Sequence, residues 1–284
     1  MANVISSRTF RDKYKSTTLD QALRKRLVAE EICLVDRGDN LRIQNPYGST
    51  PTVVVQALSG TYTPADFTTT DDTLTVTDEF IVSEHVRDFE QVLTTFDLFA
   101  SRVDIMTYNV AAKIDQYVLN VLAAGATGTY TTAAGGFQAA NVNTIMGALI
   151  GLVSGYAEMY KGLFLVLENT EVGGFISAQA SNGFTYADAA LRNGLINSIM
   201  GVDIYVVRAG TFVSATIGTK TFTNSGKRIF GVKKVATYAA PRGIQHEEKG
   251  VSGKTGKELV TYGYIGAKVW YNVTDLIVTI TVTA

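Results

Sequence analysis

One stretch of this chain of 284 residues has the residue types to invite a phosphate: Gly250–Lys257, GVSGKTGK. A phosphate-binding loop needs a glycine, four residues and then Gly-Lys-Ser/Thr between a strand and a helix, so that backbone N–H groups and the lysine surround the anion. Gly253-Lys254-Thr255 supplies the second half, but Glu248 stands where the first glycine belongs, and no helical pattern follows. The stretch therefore reads as a hairpin tip. His246 is followed by Glu247 and Glu248 but lacks the second histidine of a zinc-protease helix. Gly151-Leu152-Val153-Ser154-Gly155 is one residue out of phase with a nucleophile elbow and lies inside a helical pattern.

The remaining candidates fare no better. His85 lies on a strand-like stretch and reads as a packed residue. Asp66, Asp71 and Asp72 lack the alternating ligand spacing of a calcium loop and read as a solvated acidic loop. Arg37-Gly38-Asp39 reads as a turn, and the glycosylation acceptor Asn272-Val273-Thr274 has no secretory route to go with it. Two histidines and one cysteine, Cys33, leave little for a soft-metal site and rule out an internal disulfide. No catalytic constellation forms. The expectation is a chain that is not an enzyme and uses neither cofactor nor metal.

The elements that would position such residues begin with Asp97–Ala124. Apolar side chains recur at Phe99, Val103, Met106, Val110, Ile114, Val118 and Val121, the spacing of one helix face. At 1.5 Å per residue this is a rod of about 40 Å, expected to lie along one flank of a sheet. Residues 1–20 are polar and read as an arm. Thr18–Glu31 reads as a short helix with Thr18 and Gln21 as a capping box and Arg24, Lys25 and Arg26 as a basic cluster. Leu41–Gln44, Val53–Leu58 and Thr73–Val82 have strand character around a polar stretch, Thr61–Asp72. Together they read as a two-stranded ribbon that leaves the body and returns. A ribbon of that kind is marginal alone in water, so a neighbouring chain is expected to support it.

Beyond the Gly/Ala/Thr loop Gly125–Ala140, the spacing predicts a helix over Asn141–Tyr160 with Val142, Ile145, Met146, Leu149, Leu152 and Val153 as its buried side. The continuous apolar run Leu163–Leu167 predicts a strand buried on both faces. Val172–Ala180 reads as helical and Val202–Val207 as a second buried strand, giving a β–α–β unit in a subdomain spanning 125–226. Arg228–Tyr238 reads as the start of a new strand region. Ile244–Lys249 and Glu258–Tyr271 read as the arms of a long hairpin, and Leu276–Val282 as a strand returning to the sheet of the α/β subdomain.

Composition narrows the function classes. A net charge of −1 argues against wrapping nucleic acid. The first ten residues lack the apolar core of a signal peptide, and no run of about 18 apolar residues exists to span a membrane. The expectation is a chain made and kept in solution.

The order of parts (arm, ribbon, long helix, α/β body, Gly-tipped hairpin) resembles the major capsid proteins of tailed bacteriophages, the HK97 fold. The stretches that carry the resemblance are Gly38–Ile43, Thr73–Val76, Ala111–Tyr117 and Tyr264–Val269. It implies an α+β fold with a long spine helix, an extended β-ribbon or E-loop, a P-domain sheet and an α/β A-domain. Carried over, 1–36 is the N-terminal arm, 37–84 the E-loop, 85–124 with 227–272 the P-domain, and 125–226 with 273–284 the A-domain. The implied function is self-assembly through pentamers and hexamers into an icosahedral head enclosing double-stranded DNA without sequence specificity. That head would be built in the host bacterial cytoplasm with separate scaffolding, portal and decoration proteins as further partners. The type member's covalent cross-link needs a lysine on the E-loop, and none occurs from Asp36 to Glu84.

Candidate inter-subunit contacts are the cations Arg8, Arg11, Lys13, Arg24, Lys25 and Arg26 against the acids Asp66, Asp71 and Asp72, with Lys249, Lys254 and Lys257 at the hairpin tip. An encapsulin-like compartment holding protein cargo is the alternative within the fold. A nucleotide-using enzyme would need nucleotide binding altered at Lys254, and the long helix disfavours an all-β tail or decoration protein.

Overall fold

Residues Leu98–Gly125 form one uninterrupted helix, and two sheets are arranged around its carboxyl-terminal half. The computed structural model describes residues 28–38, 40–48, 68–87, 98–153, 162–181, 198–251 and 255–283, with isolated positions between them. In chain order it begins with α1 (Val28–Ile32), β1 (Leu34–Asp36), β2 (Arg42–Gly48), β3 (Thr69–Thr75), β4 (Asp78–Val86) and the long α2 (Leu98–Gly125). Next come β5 (Gly128–Thr131), α3 (Val142–Val153), β6 (Leu163–Glu168), α4 (Val172–Ser181), β7 (Ser198–Ile199) and β8 (Val202–Val207). The hairpin β9 (Thr216–Ile217) and β10 (Lys220–Thr221) leads to β11 (Lys227–Val232), β12 (Ala236–Ala239), β13 (Ile244–Gly250), β14 (Lys257–Val269) and β15 (Ile277–Thr281).

The first sheet runs β1-β12-β14-β13, with β4 on the other edge of β14. The second runs β5-β15-β11-β6-β8-β7. In it β6 and β8 are parallel and joined through α4, as the two buried apolar runs require. The side chains of β6 alternate between two cores. Phe164 and Val166 face the cluster containing α2, while Leu163, Leu165 and Leu167 face the one containing α3 and α4. That division explains a run with no polar residue from Leu163 to Leu167. β15 lies between β5 and β11, so the last strand does return to this sheet.

α2 departs from the expected single-sided rod. Met106, Val110, Ile114, Val118 and Val121 are buried as the periodicity requires, yet every residue from Tyr117 to Ala123 is buried too. The reason is a second contact. The cluster around this half of α2 includes Ile265, Ala267 and Val269 of the first sheet and Phe164, Val166 and Ile229 of the second.

Three further expectations need correcting. Thr73–Val82 is not one strand: β3 pairs with β2 as far as Thr75, and β4 pairs with β14 from Asp78 onward. Arg228–Tyr238 likewise spans both sheets. β11 hydrogen-bonds between β6 and β15, so it belongs with the 125–226 body, and β12 pairs with β14. The switch is made at Lys233-Lys234, where Lys234 has φ +65° and its N–H donates to the Ile32 carbonyl. Leu152 is exposed, because α3 buries only the side carrying Val142, Ile145, Met146, Leu149 and Val153. Most of Thr18–Glu31, all but two isolated positions of Val53–Leu58, and 154–160 lie outside the described residues.

Gly174 shows how tightly α4 is seated. A Cβ there would sit 1.9 Å from the Phe137 carbonyl oxygen. Gly174→Ala should therefore lower stability by about 1–3 kcal/mol despite the better helix propensity of alanine. Urea unfolding checks this, and an unchanged or raised midpoint would contradict it.

Candidate functional site

Chemistry-bearing side chains gather in three places: the ends of β6 and β8, the root of the β2–β3 ribbon, and the tip of the β13–β14 hairpin. At the first, β6 and β8 run parallel and end side by side, where open α/β sheets hold their ligands. Here the space is filled from within. Glu168 Oε1 accepts the N–H groups of Gly210, Thr211 and Phe212 at 3.0, 3.1 and 3.3 Å. Arg228 crosses from β11, donating from Nε to both oxygens of Glu171 at 2.7 and 2.8 Å and from a terminal nitrogen to Glu168 at 3.0 Å. All three residues are buried. The donors a phosphate would use are thus satisfied by the chain's own carboxylate. Sequence reasoning missed this site, although Glu168 and Glu171 three residues apart after an apolar run, with Arg228 opening another, were its visible signal.

The ribbon root is built around two aspartates. Asp72 pairs with Lys268 and accepts the Tyr271 N–H at 2.9 Å. Burial pushes its carboxyl up, but the bonds from Lys268 and Tyr271 outweigh burial and hold it below its ordinary range. Asp78 accepts the Tyr117 hydroxyl at 2.7 Å and the Thr219 N–H at 2.6 Å. It too is held low: burial raises it, and hydrogen bonds from Tyr117, Thr219 and Thr77 more than offset that. Leu74 packs with Ala239 and Trp270, and Tyr47 stacks on Tyr271 with ring centroids 6.0 Å apart. A cleft of about 600 Å³ opens beside the root, lined by Thr73, Thr75, Thr77, Lys220 and Lys268 among others.

At the hairpin tip, Lys249 pairs with Glu247 at 2.8 Å and Lys257 with Glu248 at 2.6 Å. Exposed pairs of this kind are screened by solvent and contribute little to stability. Gly253 and Gly256 have positive φ, as a turn demands. His246 Nδ1 lies 3.0 Å from the Thr261 hydroxyl. His85, on β4, is opposite Glu258 of β14.

Of the expected contact residues, Asp66 and Asp71 are exposed, whereas Asp72 is engaged within its own chain. Arg8, Arg11, Lys13, Arg24, Lys25, Arg26 and Lys254 lie outside the described residues. Among the described residues no group of three acidic, histidine or cysteine side chains is placed to hold a metal ion. No described helix is long and apolar enough to cross a membrane.

Among the described residues the first sheet carries α2 on one face only. On the opposite face Ile81 stands across from Tyr262 and Glu79 across from Tyr264. Ile81 is 60% exposed. Leu34, Leu41 and Tyr271 are exposed apolar side chains as well.

Two substitutions test these joints. Asp72→Asn should loosen the ribbon root alone, raising hydrogen exchange in β2 and β3 and leaving β13 and β14 unchanged; equal exchange in both pairs would contradict it. Arg228→Met leaves two buried carboxylates facing each other and should cost about 3–5 kcal/mol by urea unfolding. A cost below about 1 kcal/mol would show that the cluster is not a unit.

The sequence matches no protein-family model and no curated protein. Solved structures do match. The capsid of cyanophage P-SCSP1u aligns with a TM-score of 0.67 at 14% identity, over 92% of this chain and 89% of that one. The capsid of an empty GTA particle aligns with a TM-score of 0.66 at 15% identity, over 91% and 90%. The virus-like particle from Pyrococcus furiosus gives a TM-score of 0.60 at 12% identity, over 94% and 97%. Likeness at these identities is likeness of fold: over nearly its whole length this chain has the mixed α/β fold of phage capsid proteins.

Proposed function

We propose that this chain is the major capsid protein of a tailed-bacteriophage head, an HK97-fold subunit that assembles through pentamers and hexamers into an icosahedral shell around double-stranded DNA. The observation that carries the reading is the two-way coverage. About nine-tenths of this chain aligns with about nine-tenths of a cyanophage capsid chain, 92% and 89%, so little of either is left for a separate activity. The surfaces agree with it. Among the described residues the ribbon is fixed at its root, and a sheet face with Ile81 and Tyr264 is exposed. The ends of β6 and β8, where an enzyme of this class would bind, are closed by Glu168. Heterologous contacts between such surfaces are how one chain closes a ring.

In this reading α2 is the spine helix, and 1–36 is the N-terminal arm. The E-loop is 37–77, since β4 joins the first sheet. The P-domain is 78–124 with 236–272. The A-domain is 125–235 with 273–284, because β11 lies in the second sheet. Near-zero net charge suits a container that encloses DNA without gripping it.

An encapsulin-like compartment with protein cargo is the second reading, favoured by the likeness to the Pyrococcus furiosus virus-like particle. Electron microscopy and nuclease treatment of particles from producing cells separate the two. The expected result is closed shells with nuclease-resistant double-stranded DNA. Shells with protein cargo and no DNA would favour the compartment, and a chain that stays monomeric at high concentration would sink both. With no lysine from Asp36 to Glu84, mature particles should run as a single band on a denaturing gel; a high-mass ladder would overturn a shell without covalent links.

A further inference from the structure

The pairing of β4 with β14 ends where Asp78 faces Ile265, while β12 stays with β14 as far as Val269. Past that point Ala267, Lys268 and Val269 border the cleft of about 600 Å³ beside the ribbon root, a volume in the range of small-molecule sites, roughly 300–1,000 Å³. β3 contributes Thr73 and Thr75 to it, β10 contributes Lys220, and Val121 and Phe222 give it an apolar lining. Two ammonium groups thus reach one space from different strands. Lys220 Nζ donates to the Ala267 carbonyl at 3.3 Å and lies 5.6 Å from the centre of the Tyr117 ring. Lys268 Nζ donates to the Thr73 carbonyl at 2.8 Å and pairs with Asp72. The carboxylates of this region stand behind the lining rather than in it. Asp72 accepts Lys268 and the Tyr271 N–H, and Asp78 accepts Tyr117, Thr219 and Thr77. Among the described residues that line the cleft there is no acid. It presents ammonium groups, which can only donate, and threonine hydroxyls, which can donate as well.

We propose that this cleft binds a small oxyanion, a phosphate or carboxylate group held between Lys220 and Lys268 and by the hydroxyls of Thr73 and Thr75. Charge-assisted hydrogen bonds from two lysines are the strong contacts of such a site. Burial holds the Lys220 ammonium below its ordinary range, Asp78 opposes that, and the charge of Lys268 adds to it. An anion between the two lysines offsets their repulsion and favours the charged form of both. The volume leaves room beside the anion for an apolar group against Val121 and Phe222. Bound there, the anion joins the ribbon, through β3, to the body, through β10 and β14, and so reinforces the contact that Asp72 makes with Lys268 at the root. The cleft belongs to a single chain, so no shell need form for the anion to bind.

Calorimetric titration of the full chain with inorganic phosphate, with glutarate and with chloride at matched ionic strength tests the site. Phosphate, glutarate or both should bind saturably at a single site per chain, and chloride should not. Saturation by phosphate alone would identify the group as a phosphate, and by glutarate alone as a carboxylate. Lys220→Gln should weaken binding about tenfold and Thr75→Val about threefold. Lys113→Gln removes the same charge from an exposed position on α2 and should bind as the wild type does. Hydrogen exchange in β3 should slow at saturation, and exchange in β13 should not. No saturable binding of either oxyanion, equal saturation by chloride, equal weakening in Lys220→Gln and Lys113→Gln, or unchanged exchange in β3 would each overturn the site. Should Lys220→Gln fail to accumulate, Thr75→Val and the exchange in β3 decide.

Discussion

A helix enclosed by two sheets has to satisfy its polar groups in both directions, and Asn120 is where this protein does so. Its side chain donates to the carbonyls of Gln116 and Thr211 at 2.7 and 2.8 Å. It accepts the Val213 N–H and an Asn224 amide hydrogen at 3.1 and 3.2 Å. The loop so held is the one whose N–H groups Glu168 collects, and Glu168 is in turn held by Arg228. A continuous run of satisfied polar groups therefore links α2 to the middle of the second sheet. Three residues earlier on α2, Tyr117 bonds Asp78 at the start of β4 and so ties the helix to the first sheet. Fully paired networks in a low-dielectric interior specify one arrangement, since any displaced member is left unpaired at high cost. These two joints, less than one helical turn apart, set how the two layers sit.

Among the described residues the ribbon has no such enclosure. Leu74 is the only fully buried apolar residue of β2 and β3, and its cluster is small, Leu74 with Ala239 and Trp270. What holds the root is largely polar and local, Asp72 to Lys268 and Tyr271. A lone two-stranded ribbon falls short of independent stability. On the reading of a shell subunit, that shortfall is made up by contacts between copies, and the open sheet face with Ile81, Tyr262 and Tyr264 is a surface of the same incomplete kind.

What the sequence made legible was burial, and what it hid was partnership. The 3.6-residue spacing located α2, and the unbroken run Leu163–Leu167 located a strand covered on both sides. Period-two alternation, however, reports only which face is covered. Leu74, Val76, Asp78, Phe80 and Val82 alternate without interruption through Val76-Thr77, although the chain there leaves the ribbon and enters the first sheet. The crossing at Lys233-Lys234 is hidden for a related reason. Its left-handed residue is a lysine rather than glycine, held by the Ile32 carbonyl from a distant part of the chain. The motif reading of GVSGKTGK was settled by context: a turn with two positive-φ glycines and no helix behind it. Glu168 and Arg228 escaped notice because charged residues at strand ends ordinarily mark an exit to solvent, and only the fold brings them to each other.

Asp78 and Asp115 are both carboxylates in contact with the long-helix layer, yet their environments drive them in opposite directions. Tyr117, Thr219 and Thr77 supply Asp78 with enough donors to favour the charged form; two backbone N–H groups cannot do this for Asp115. The difference follows the architecture. Asp78 sits at a joint that must not move, where several elements converge and donors are plentiful. Asp115 sits where the short α1 is laid over α2, and among the described residues it is the Val28 and Ala29 N–H groups that reach it. Fully paired networks accordingly gather at the centre of the molecule. On the reading of a shell subunit, polar networks concentrated at the centre keep the subunit constant while its edges meet their neighbours.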